Sequence, residues 1–513
     1  MAGLRLGTPP GRWTLLATVL GSSVAMLDAT VVNVALPALG RELGADLAGL
    51  QWTVNAYTLT LAGFILLGGS LGDRYGRRRV FLVGVVWFGA ASVLCGLAPN
   101  IPLLVAARAL QGVGGALLTP GSLAIIQASF AHEDRPRAVG AWSGLGGVAA
   151  AAGPFAGGWL VDAAGWRWVF LLNVPLVALV VLVTVRHVPE SSDPGARGRF
   201  DVPGAALAAL ALAGTTYALT EAPGGRSVPV VAAAGLGLAA AAGFVLVERA
   251  FGRGRRLPSG GAPPAPMLPL SVFASRQFSA VNGVTFLMYG AMGVLFFLLV
   301  LHLQVAGGFS PIAAGAALLP VTVLMLLLSA RAGALAQRIG PRLPMAAGLA
   351  AAAGGTLLLA RIGASPSYWR EVLPAVTVFG LGLSAVVAPL TATVLATADE
   401  RHAGVASGVN NAVARAAGLL AVAAVPPLTG LTGGALADPS RFARGFAAAM
   451  AVCAALLLAA ALLSLLTIAG DVLRAPAGPP REPAARRHCA VAAPPLDPGP
   501  GPSDGRKGDE NRG

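Results

Sequence analysis

Three charged side chains fall inside long apolar runs, Asp28, Arg108 and Arg415. A charge in hydrocarbon costs roughly 2.5 kcal/mol or more, so each marks a functional group or demands a partner. Asp28 stands in Leu27-Asp-Ala-Thr-Val-Val-Asn-Val-Ala-Leu-Pro37, about 15 residues, or roughly 22 Å, past the start of its run. Arg108 stands about six residues, roughly 9 Å, into a run crossing in the opposite direction, which in a core about 30 Å thick sets it at nearly the same depth. A carboxylate and a guanidinium at one depth can pair, directly or through water, and the arginine, which cannot deprotonate, can lower the carboxylate's pKa until substrate or a conformational change separates the two. The same spacing also suits mutual neutralisation, or an Asp28 held structurally by Thr30 or Asn33. Arg415 lies near mid-run behind Asn410 and Asn411. It suits a substrate carboxylate and neighbouring backbone carbonyls equally.

A second group surrounds the basic turn Gly69-Ser-Leu-Gly-Asp-Arg-Tyr-Gly-Arg-Arg-Arg-Val80. Gly69, Gly72 and Gly76 permit close helix approach and a sharp reversal, while Asp73 can pair with an arginine or cap a helix. A degraded copy, Gly333-Ala-Leu-Ala-Gln-Arg-Ile-Gly-Pro-Arg342, repeats Gly69, Leu71, Arg74, Gly76 and Arg78 at one constant offset of 264 residues (69 to 333). The chain is therefore an internal repeat. Arg108-Ala-Leu-Gln-Gly-Val-Gly114 likewise aligns with Val376-Thr-Val-Phe-Gly-Leu-Gly382, keeping the glycines and losing the arginine, and Asp73 becomes Gln337. Ion coupling is accordingly assigned to the first half, and Asp73 to gating rather than to cargo. Gly153-Pro-Phe-Ala-Gly-Gly158 joins a helix-breaking proline to small residues, which suits a bending span or a static kink. Trp166-Arg-Trp168 with Asn173-Val-Pro175 reads as an aromatic anchor at the membrane surface.

Catalytic patterns fail on context. Gly68-Gly-Ser-Leu-Gly72 has the G-x-S-x-G form but sits at the end of an apolar run with no strand-to-helix elbow and no histidine partner. The sole lysine, Lys507, is followed by Gly508, so no phosphate loop is present. His132, His187, His302, His402 and His488 lack metal-ligand spacing. No haem, zinc or flavin pattern is visible, and no cofactor and no enzymatic activity are expected.

Those residues need elements to carry them, and the composition says which. The 513 residues are 56% hydrophobic and 11% charged, with mean hydropathy +0.73, which identifies an all-α polytopic membrane protein. The net charge of +14 sits in short gaps between apolar runs rather than on one soluble face, so it reports topology and not nucleic-acid binding. Cys95 and Cys453 lie in apolar runs and Cys489 near the end, so no disulfide framework is expected. The first apolar run is read as a span and not a signal peptide, because it is long and more runs follow.

On a ruler of about 20 residues per span, residues 1–13 precede a six-span bundle at 14–187. A linker follows at 188–201, then an inserted two-helix hairpin at 202–249 and a basic Pro/Gly-rich linker at 250–276. A second six-span bundle occupies 277–469, and 470–513 is expected to be disordered. Arg5, Arg12, Arg74 to Arg79, Arg197, Arg199, Arg249 to Arg256 and Arg331 to Arg342 collect on one side, which places both termini in the cytoplasm of a multi-pass cell-membrane protein.

In these motifs the chain resembles the major facilitator superfamily, within it the fourteen-span drug:proton antiporters, over about residues 12 to 470. Gly69 to Val80 is similar to the family's motif A, Arg108 to Gly115 to motif B, Gly153 to Gly158 to the antiporter motif C, and Leu27 to Pro37 to motif D. Ala149 departs from the glycine with which motif C usually begins. The resemblance implies two six-helix bundles around a cavity open alternately to each face, Asp28 as proton carrier and Arg108 as coupling residue. It also implies gating by Gly69, Asp73, Arg74, Gly76 and Arg78, and an antiporter role for Gly153, Pro154, Gly157 and Gly158. The expected cavity is lined by Asn33, Asn55, Gln111, Asn282, Asn410, Asn411 and Arg415 among Met288, Tyr289, Met292 and Phe296. Such a surface selects by size and apolar area. The expected partners are the lipid bilayer, protons and an amphipathic small molecule that is exported. The alternatives are an uptake permease for a polar metabolite and a membrane sensor or scaffold that does not transport.

Overall fold

The computed structural model describes residues 3–192, 201–225, 227–253, 268, 270–397 and 403–473. Arg197 and Arg199 of the first linker, most of the basic linker and the expected disordered tail from 474 onward lie outside the described residues. What is described is helical apart from short connections, with one isolated bridge between Leu4 and Phe130.

The first bundle runs α1 (Pro9–Leu43), α2 (Leu47–Tyr75), α3 (Arg77–Gly96), α4 (Ile101–Ser129), α5 (Arg135–Ala164) and α6 (Arg167–His187). The hairpin is α7 (Val202–Glu221) and α8 (Val228–Gly252). The second bundle runs α9 (Arg276–Val305), α10 (Pro311–Ile339), α11 (Arg342–Leu359), α12 (Tyr368–Ala396), α13 (Ala403–Leu428) and α14 (Pro439–Thr467). Among the described residues 13 helices are long and apolar enough to cross a membrane, and α2, bent by 48° after Ile65, brings the number to 14. Side chains set several starts: Thr8, Asp46, Asn100, Asp201, Ser275 and Ser310 each accept a backbone N–H of the first turn, satisfying groups that hydrocarbon would leave costly.

Two spans are more broken than their composition suggests. In α6 the helix is interrupted at Leu172, between Arg167–Leu171 and Asn173–His187. In α10 a short segment, Pro311–Ala316, precedes Leu319–Ile339, whose first turn contains Pro320. Proline lacks the N–H that would continue the ladder there.

The internal repeat is visible in backbone packing. Gly76 and Gly340 close the second span of each bundle with φ of 107° and 89°, a conformation that strains residues bearing a Cβ. A Cβ on Gly114 would lie 2.7 Å from Phe88 N, and one on Gly382 would lie 2.4 Å from Ala352 N. Glycine therefore lets the third and fourth spans of each bundle touch through backbone. Corresponding glycines do corresponding work.

The hairpin is held the same way, since a Cβ on Gly214 would lie 2.6 Å from Ala233 O. Its first helix packs on α2 of one bundle and α13 of the other, and Trp52 Nε1 donates to Glu221 Oε1 at 2.9 Å.

Candidate functional site

The charged pair of the first half meets directly. Arg108 Nη1 donates to Asp28 Oδ2 at 2.5 Å, with the side chains 1% and 0% exposed. Arg108 and Gln111, three residues apart on α4, share a helix face, and Gln111 closes the ring: its Oε1 accepts from Arg108 Nη1 at 2.6 Å and its Nε2 donates to Asp28 Oδ1 at 2.9 Å. Asn173 Nδ2, from α6, donates to the same Oδ1 at 2.9 Å. Ser92 Oγ on α3 accepts from Gln111 at 2.8 Å and from Asn173 at 3.3 Å. The guanidinium is completed by Nε donating to Thr53 O at 3.1 Å and by the Tyr57 ring, 4.3 Å from its centre.

Both Asp28 oxygens thus face donors, the complement that a carboxylate needs when buried. The arrangement links five helices, so moving Asp28 away from Arg108 requires α1, α2, α3, α4 and α6 to adjust together. Removing one member of a buried ion pair costs about 3–5 kcal/mol, because the other charge is left without a partner. The contact therefore holds the five helices together in this arrangement.

Gln111, expected on the cavity wall, is fully buried in this joint. Asn173 was expected at a membrane-surface anchor and is instead fully buried beside Asp28. Trp166 of the same motif is also interior, 2% exposed and donating to Glu42 Oε2 at 2.7 Å, whereas Trp168 is half exposed. Ser92, Thr53 and Tyr57 were missed altogether. The depth ruler would have found Asn173: it lies about six residues, roughly 9 Å, into its span, the same depth as Arg108.

Motif Gly153 to Gly158 joins three helices. Pro154 has no N–H for Ala150 O, and Thr30 Oγ1 from α1 donates to that carbonyl at 3.2 Å. A Cβ on Gly153 would overlap Thr30 Oγ1, and one on Gly157 would lie 2.9 Å from Val31 Cγ1. Gly158 faces the second bundle, where a Cβ would lie 2.4 Å from Ile312 Cα. Nearby, Ile312 N donates to Asp162 Oδ2 at 3.1 Å, Gln304 Nε2 to Val34 O at 3.0 Å and Gln51 Nε2 to Val422 O at 2.6 Å. These contacts close the bundles on each other toward the face opposite the arginine turn.

At the basic face a cavity of ≈ 440 Å³ lies between the bundles, with Gly69, Asp73, Gln127 and Trp142 on one wall and Ser407 and Asn411 on the other. Asn411 Oδ1 accepts from Arg415 Nε at 3.2 Å. Asp73 accepts from Arg77 at 2.7 Å. Arg78 and Arg79 donate their backbone N–H groups to the Glu190 carboxylate at 3.0 and 3.2 Å, an N-cap supplied from beyond α6 because Gly76 has no side chain to give one. Arg78 Nη2 reaches Val185 O at 2.8 Å, and the Arg74 guanidinium lies over the Tyr75 ring.

Deeper, a second cavity of ≈ 200 Å³ is lined by Thr30, Asn33 and Pro154 from the first bundle and Met292, Phe296 and Val321 from the second. Asn33 Oδ1 has no partner among the described residues. Asn55 is buried with its Nδ2 likewise unpartnered. Asn410 Nδ2 donates to Asn282 Oδ1 at 3.1 Å and Thr285 Oγ1 at 2.8 Å, tying α13 to α9. Tyr289 is partly buried against the core of the second bundle. Met288 is fully buried in that core and not on a cavity wall, because α9 is apolar on every face and its composition does not say which side turns inward.

The sequence profile of the Major Facilitator Superfamily matches residues 18–422. The puromycin resistance protein pur8 of Streptomyces alboniger is 37% identical over 446 residues, 84% of this chain and 85% of that protein. The multidrug resistance protein Stp of Mycobacterium tuberculosis is 35% identical over 403 residues, 78% and 72% of the two chains. Among solved structures, a D-xylose–proton symporter superposes with a TM-score of 0.63 at 15% identity, covering 91% of this chain and 99% of that one. That likeness is one of fold.

Proposed function

The chain belongs to the Major Facilitator Superfamily, and on that premise we propose that it is a proton-driven exporter of lipophilic small molecules working by alternating access. The observation that carries the reading is the direct, fully buried contact of Asp28 with Arg108. Asp28 takes its proton when the site is open to the outer face, which weakens its hold on Arg108 and frees the helices to return to the inward-facing arrangement, where the proton leaves and the pair re-forms. The resistance named in the two relatives supports export over uptake, and the intact buried pair of Asp28 and Arg108 speaks against a non-transporting scaffold.

In the arrangement described, the bundles are sealed toward the face opposite the arginine turn, and a cavity lies between them at the basic face. With arginines held at the cytoplasmic surface, this is an inward-facing state of a cell-membrane protein with both termini inside. Cargo reaches the ≈ 440 Å³ vestibule past Asn411 and Arg415 and settles in the ≈ 200 Å³ cavity. There Met292, Phe296 and Val321 supply apolar area at about 25 cal/mol per Å². Thr30 and the free carbonyl of Asn33 supply a few directional contacts. The turn at Gly76 and the Asp73–Arg77 pair serve the gate at the vestibule mouth.

The protein reconstituted in vesicles with an imposed pH gradient should accumulate lipophilic dyes and antibiotics and leave sugars untouched. Saturable movement of a sugar with no response to any lipophilic compound would overturn the proposal.

A further inference from the structure

Asn173 donates to Asp28 Oδ1 at 2.9 Å, is fully buried, and leaves its own Oδ1 without a partner among the described residues. A buried carboxamide oxygen with no donor is costly, and this one belongs to a side chain already touching the Asp28 carboxylate. The ionised carboxylate is acceptor-only, so Asn173 must present its NH2. Once Asp28 takes a proton, the new O–H needs an acceptor. The other neighbours do not offer one: Gln111 faces Asp28 with its NH2, its Oε1 being held by Arg108, and Arg108 has donors only. A half-turn of the Asn173 carboxamide exchanges its nitrogen for its oxygen at the same place.

We infer that Asn173 is a positioning residue for coupling, a carboxamide that donates to ionised Asp28 and turns to accept from protonated Asp28. This rests on the proton-coupling reading of Asp28. The proton comes from hydronium, leaving water, when the site is open to the face opposite the arginine turn; the O–H bond forms on Oδ1, and the bond from Arg108 to the neutral carboxyl loses its ionic part. Arg108 keeps Gln111 Oε1, Thr53 O and the Tyr57 face, so its guanidinium stays hydrogen-bonded when the joint opens, although it loses its counter-charge. The placement of Asn173 directly after the break at Leu172 ties the turn of the amide to the segment of α6 that begins with it. The titratable and charged groups around the carboxylate are Arg108 from α4, Tyr57 from α2 and Cys95 from α3, with Arg415 of α13 acting on Tyr57 from the second bundle. None of them is both donor and acceptor at Oδ1.

Infrared difference spectra between alkaline and acidic buffer test this on the intact purified protein. Wild type should show a carboxyl C=O band absent from Asp28→Asn, together with a downshifted side-chain amide C=O band absent from Asn173→Leu. In Asn173→Leu, which is similar in volume but neither donates nor accepts, the carboxyl band should move to higher frequency. Proton release per added lipophilic dye should fall at least about tenfold, equivalent to roughly 1.4 kcal/mol, with dye binding retained. Asn173→Ser, whose hydroxyl serves either role, should restore both. A carboxyl band identical in wild type, Asn173→Ser and Asn173→Leu would overturn the role of Asn173 alone, as would an amide band insensitive to pH in wild type. Asp28→Asn that still exports at wild-type rate would instead overturn the coupling reading beneath it.

Discussion

Replacing Asp28 with Asn should abolish gradient-driven export while cargo still binds. The amide keeps the volume and one acceptor but cannot take and release a proton. Arg108 then lacks a counter-charge at a site 1% exposed, and breaking such a pair costs about 3–5 kcal/mol before any relaxation. The bonds to Gln111 and Thr53 and the Tyr57 ring keep part of that, so the variant should fold with a lower thermal midpoint. Adding Arg108→Gln should restore the midpoint and leave export dead, separating stability from coupling. Dye uptake into everted vesicles reads the effect. Uphill accumulation by Asp28→Asn at wild-type rate would remove Asp28 from the mechanism.

Gly158→Val should prevent closure of the face opposite the arginine turn. Its Cβ would lie 2.4 Å from Ile312 Cα and 2.6 Å from Pro311 O, and both obstacles are backbone that cannot rotate aside. Overpacking of this kind costs about 1–3 kcal/mol, which shifts a two-state balance roughly 5- to 150-fold. Export should fall by a similar factor, with cysteines placed at the seam becoming reactive from that face. Gly147→Ala, on the same helix with nothing within 4 Å, should be silent. Normal export by Gly158→Val with an unchanged seam would mean that the contact at Ile312 has no part in the cycle.

Much of this was legible because membrane sequences report rare events clearly. A charge in an apolar run is one, and the lengths of the runs alone set Asp28 and Arg108 at a common depth. A glycine repeated at constant offset is another, and Gly76 and Gly340 share their positive φ because both reverse the chain after a second span. Smaller polar groups were hidden by the same apolar background: Ser92, Thr53 and Asn173 carry no charge, and the aromatic residues around Asn173 suggested a surface anchor. Helix faces were illegible for another reason. Where all sides are apolar, as in α9, periodicity is lost, so Met292 and Phe296 reach a cavity while Met288 goes to the core.

Coupling through the Asp28–Arg108 joint is tested most directly by adding a transported lipophilic compound to purified protein in weakly buffered solution and recording pH. The account predicts saturable proton release that tracks binding in wild type and is absent from Asp28→Asn, which still binds. Equal release from both proteins, or binding to wild type with no release at any pH, would contradict it.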